Sequence, residues 1–117
     1  MTASRWIVFW IVIIPTLPAQ AMSRRVAISA GSFFAAAVRC EEQHLITSGQ
    51  IDDLLRALDP YLSKSDKANM AAGHARGAKD SQVFVVAEKK WMSFTADATS
   101  CYRVQGVLDD YRAQLGG

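Results

Sequence analysis

Chemistry-bearing residues are scarce in this chain, which has two cysteines, two histidines and three prolines among 117 residues. It contains no Gly-x-Ser-x-Gly elbow, phosphate-binding loop, dinucleotide fingerprint or His-Glu-x-x-His helix. Those are the patterns that hydrolases, nucleotide-binding enzymes and zinc proteases place around their reacting atoms, so the expectation is a protein that is not an enzyme. Cys-x-x-Cys and His-x-x-x-His are absent as well, and no metal site is expected. Charge of either sign is not in excess, the formal net charge being +2. That balance argues against an electrostatic grip on nucleic acid or anionic lipid. The longest apolar stretch, residues 6–14 extended to Leu17, is about 12 residues against the ~20 that a spanning helix needs.

That short stretch follows Arg5, is stopped by Pro15 and Pro18, and leads into Ala19-Gln20-Ala21, the small-x-small pattern of a signal peptidase site. Residues 1–21 are therefore expected to be a cleaved signal peptide. No cysteine follows closely enough for lipid attachment, so no stable membrane insertion is expected after cleavage. The remaining 96 residues keep 12 of the 13 basic groups and all 11 acidic ones, a net charge of +1. A chain of that size makes one small domain with one core and little room for an enclosed cofactor, and none is expected. The expected location is periplasmic or secreted.

In an oxidising compartment the two thiols read as a pair. Cys40 and Cys101 have only one intramolecular connectivity, 61 residues apart. Cys40 and His44 would share a helix face, but a metal site there fails on ligand count, since only Cys101 and His74 remain to complete it.

Periodicity predicts a mainly α fold of about four helices. Residues 22–28 are expected as a flexible lead-in, and 29–117 as a single helical domain. Phe33, Ala36, Ala37, Cys40 and His44 recur at helical spacing over 29–45. Thr47 and Gln50 have the spacing of a capping box before a second helix, whose stripe is Ile51, Leu54, Leu55, Leu58 and Leu62 and which Pro60 should stop near Leu58. Ser65 before Asp66 suits the start of a third helix through Ala78, on which Asn69, Gly73 and Gly77 form a small-residue stripe suited to close helix packing. Val83 to Val86 favours an extended chain, and a β-hairpin turning at Glu88 to Lys90 fits residues 83–94. The spacing of Phe84, Ala87, Trp91 and Phe94 also allows a continued helix. Asp97 can cap a last helix with Cys101, Val104, Leu108, Tyr111 and Leu115 on one stripe, so a bridge would join the first helix to the last.

Two functional expectations follow. The first is a non-enzymatic binding or interaction module of the cell envelope that meets an unidentified protein partner through Lys89, Lys90, Trp91 and Phe94. The basis is that the cleaner apolar stripes suffice for a core, which leaves a tryptophan flanked by basic residues as an interface anchor. The paired carboxylates Asp52-Asp53 and Asp109-Asp110 flank leucine stripes and read as solvated faces, and His44 reads as a partner of Glu41. The second expectation comes from the plan alone: a signal, a short helical domain and one bridge resemble small acid-activated periplasmic chaperones. That resemblance rests on no shared motif and implies stress-activated client binding without assigning residues.

Overall fold

Alanine, serine and glycine dominate the middle of the first helix, and in the computed structural model of the protein, which describes residues 22–116, that helix is the central element. The expected signal peptide lies outside the described residues. Helix α1 (Arg24–Glu42) is followed by α2 (Gln50–Leu58), a 3-10 turn (Asp59–Tyr61) and α3 (Lys64–Asp80). Strands β1 (Gln82–Val85) and β2 (Lys90–Ser93) pair antiparallel, and α4 (Ala98–Gln114) closes the order. Four helices and one short hairpin thus make up the described residues, with Gln82 opposite Ser93 and Phe84 opposite Trp91. Val86–Glu88 forms the turn and Lys89 completes it at φ 54°.

The start of α1 departs from expectation. Residues 22–28 are not a lead-in, because Ser23 accepts the Val26 N–H on its hydroxyl and starts the helix at Arg24. Met22 and Ala27 are buried in the core. At the other end α1 stops at Glu42, and His44 lies beyond it in an exposed turn at φ 60°, not on the face of Cys40. The Glu41 carboxylate accepts the Gly49 N–H at 2.7 Å, while His44 uses its own N–H on the Glu41 carbonyl.

The capping box expected at Thr47 and Gln50 does not form. Gly49 is the N-cap of α2 at φ 90°, a conformation that suits glycine, and the Gln50 amide donates to the Thr47 carbonyl and exchanges two hydrogen bonds with Gln105 of α4. Pro60 ends α2 at Leu58 as expected. A capping box does form one helix later, where Ser63 and Asp66 satisfy each other's N–H groups, so Ser63 rather than Ser65 begins α3.

Helices α1 and α3 meet backbone to backbone. A methyl group on Gly31 would overlap the Met70 carbonyl, and one on Gly73 would overlap the Ile28 carbonyl. Gly77 lies against Ser32 and Ala35. The small-residue stripe is thus a packing seam, completed by Gly31 on the partner helix. Arg39 closes one end of it by donating to the Ala78 carbonyl near the C-terminus of α3.

The opposite side of α1 carries the apolar core. Phe34, Leu54, Leu58, Leu108 and Tyr111 are buried there, with the Phe34 and Tyr111 rings stacked at 6.3 Å. Burial pushes the Tyr111 phenol far above its ordinary range. Cys40 and Cys101 form the expected disulfide, fully buried with Cα atoms 5.7 Å apart, and it ties α1 to α4. No helix among the described residues is long and apolar enough to cross a membrane.

Gly73→Ala should lower stability by about 2–3 kcal/mol, because the new methyl meets backbone that cannot step aside. Gly106→Ala, at an exposed position of α4 with open space around it, should raise stability by about 0.5–1 kcal/mol, and urea melts of the two variants check the contrast. Cys40→Ser should cost roughly 2–5 kcal/mol in the same melts, and the oxidised parent should show no reactive thiol even when unfolded.

Candidate functional site

The hairpin is held to the helices by two hydroxyls. Residue Phe84 turns both its backbone groups away from β2, so its N–H and C=O form the free edge of the sheet. Ser32 accepts that N–H at 2.9 Å and Ser29 donates to the carbonyl at 2.6 Å. Both serines are buried on α1, three residues apart, and the Ser32 hydroxyl also donates to the Ser29 carbonyl. An edge that would otherwise need a third strand is satisfied by a helix surface.

Docked this way, the hairpin leaves an apolar groove between itself, α1 and α4. Phe33 and Ala36 line it from α1, Val83, Val85 and Phe94 from the hairpin side, and Val104 and Val107 from α4. Its volume is about 390 Å³. Polar atoms are few in it, and Arg103, exposed on α4, supplies the one cation of the lining. The first turn of α4 is fixed by Asp97, whose carboxylate accepts the Ser100 N–H at 2.8 Å. That backbone N–H, then the Ser100 hydroxyl, holds the Asp97 carboxyl below its usual value.

A second, smaller cleft lies on the other side of the hairpin between α1 and α3. Arg25, Ile28, Ala72, Gly73, Arg76, Phe84 and Trp91 line it. Trp91 is half-buried, packed edge-on against Phe84 at 5.5 Å, with the Arg76 guanidinium 4.3 Å above its ring. This cation–π contact also brings in Asp80, 3.8 Å from Arg76.

The four residues expected at a partner contact therefore do not form one patch. Lys89 and Lys90 are exposed at the hairpin turn, where Lys90 reaches Glu88 at 3.7 Å. Trp91 borders the α1–α3 cleft, outside the buried core. Phe94 packs against the core and forms part of the groove wall, because its N–H donates to the Ser81 carbonyl and extends the strand pairing past Ser93. Sequence reasoning missed Arg103, Val83 and Val107 as groove residues, and Ser29 and Ser32 as the hairpin's anchors. Two hydroxyls three apart in an alanine-rich helix were the available signal.

Elsewhere, Gln50, Gln105, Asp109 and Arg112 form a polar network that joins α2 to α4, in which Arg112 donates to the side-chain amide oxygen of Gln50 at 2.8 Å. Asp52 and Asp53 are exposed, and Asp53 pairs with Arg56. No three His, Cys, Asp or Glu side chains among the described residues converge as a metal-binding group. Comparison with known proteins gives no match to a family model, to a curated protein or to a solved structure, so geometry and sequence carry the functional reading.

Because the folded Asp97 carboxyl titrates below its unfolded value, the stability it contributes is present above about pH 4 and is lost as the pH falls through the lowered value. Asp97→Asn should flatten that part of the acid limb in melting temperatures recorded from neutral pH downward, with no change in shape above pH ~5.

Proposed function

We propose that this protein is a small non-enzymatic binding module that works outside the cytoplasm, periplasmic or secreted, and that it engages a protein partner with its hairpin and the adjoining groove. The observation that supports this reading is the groove. Its about 390 Å³ falls within the ~300–1,000 Å³ of clefts that receive ligands and side chains, and its walls are mostly apolar. A buried disulfide fits an oxidising compartment.

The charges near the hairpin suggest the partner's chemistry. Arg25, Arg76, Lys89, Lys90 and Arg103 outnumber Asp80, Glu88 and Asp97 around the two clefts. A partner segment that puts apolar side chains into the groove and an acidic group against Arg103 matches that distribution. Trp91 and the two lysines then serve as a flanking contact.

Display of random peptides against the oxidised protein at neutral pH tests this. The expected result is enrichment of peptides that combine aliphatic or aromatic residues with Asp or Glu, with binding weakened about tenfold or more by Arg103→Glu, a loss of ~1.4 kcal/mol. Trp91→Ala should weaken binding while costing about 1–2 kcal/mol of stability, less than a core aromatic, since the ring packs on Phe84 and Arg76 outside the core. Absence of enrichment, or peptides indifferent to Arg103→Glu, contradicts the reading. Capture of many unfolded chains only near pH ~3 would favour the chaperone alternative.

A further inference from the structure

The carboxylate of Asp66 is the most deeply buried acidic group among the described residues, at 1% exposure. Its Oδ2 accepts the Ser63 N–H at 3.0 Å, which completes the cap of α3. Its Oδ1 accepts the backbone N–H of Met22 at 3.1 Å, across 44 residues of chain. Met22 is itself buried, at 7% exposure. None of the side-chain ion pairs among the described residues includes Asp66. A carboxylate removed from water and met only by neutral N–H groups is costly, and the start of α3 offsets that cost only in part.

The nitrogen that touches Asp66 belongs to the residue that follows Ala19-Gln20-Ala21. We infer that Met22 is the mature amino terminus and that its α-ammonium is the counter-charge of buried Asp66, so that removal of the leader completes the fold. Hydrolysis of the Ala21–Met22 peptide bond consumes one water, leaves the Ala21 carboxylate on the released peptide, and gives the Met22 nitrogen the protons that make it –NH3+. The nitrogen does not have to move. One neutral N–H donor becomes a cation with three, already 3.1 Å from the carboxylate, and a hydrogen bond becomes a buried ion pair. The cap of α3 then receives the new terminus.

This inference rests on export, which belongs to the proposed function, and not on the binding role. Intact mass of the exported protein should begin at Met22. Two oxidised proteins released from a cleavable amino-terminal fusion, one starting at Met22 and one keeping Ala21, separate the ion pair from the helix cap. Asp66→Asn should lower the melting temperature of the Met22 form by at least about 4 °C more than that of the Ala21 form, because only the former loses an ion pair. If Asp66→Asn does not fold, acetylation of the α-amine in the parent Met22 form decides. It should run at least ~10-fold slower in the native protein than in the denatured chain, and equal rates overturn the inference. Equal temperature losses, or a mature chain that starts at another residue after export, also overturn it. A chain that still begins at Met1 overturns export with it.

Discussion

The other three helices and strand β1 all pack on α1, and α1 is attached to α3 by a contact that tolerates no side chain. Gly31 faces the Met70 carbonyl and Gly73 faces the Ile28 carbonyl, so two helix backbones lie together where ordinary residues would hold them apart. That crossing sets the position of the hairpin, which leaves α3 directly at Gln82, and of the Ser29 and Ser32 hydroxyls that receive it. It also turns Phe34, Ala37 and Cys40 toward the other side, where α2 and α4 build the core. The disulfide fixes α4 to the same helix, and the apolar groove is the space left between these attachments.

The composition of α1 follows from that role. A helix with one buried stripe alternates large apolar and charged residues, whereas α1 between Ala27 and Ala37 is buried on most of its circumference. Its alanines, serines and glycine give close approach on the α3 side and hydrogen-bonding hydroxyls on the hairpin side. The phenylalanines supply the bulk that the core needs. Met22 and the capped start at Ser23 extend this central helix to the point where Asp66 waits.

The elements whose evidence is local were legible in the sequence. Leu54 and Leu58 on one stripe, the stop at Pro60, the Asp97 cap and the pairing of the only two cysteines each follow from a few neighbouring residues. The β-branched run at Val83 indicated the hairpin. What escaped depends on residues distant in the chain. Nothing near residues 22–28 reveals that Asp66 will accept the Met22 N–H, or that Gln50 will turn to Gln105 instead of closing a box with Thr47. The structure divides the four residues expected at a partner contact between two faces of the hairpin. Trp91 and Phe94 border different clefts, and the cation beside the groove, Arg103, comes from α4. An open cleft is a property of how elements dock, and periodicity reports only which face of each element is apolar.

Native-state amide exchange, read residue by residue in the oxidised and the reduced protein, tests the central claim that the α1–α3 crossing is the frame. The amides of α1 around Ala30 to Ala37 and of α3 around Met70 to Gly77 should be the slowest in both states and should share one opening free energy. The Phe84 amide, bonded to Ser32, should be protected with them, and α4 should lose protection on reduction. Exchange of α3 through local opening while α1 and α4 stay protected would contradict the account, because the frame would then be the disulfide-linked pair.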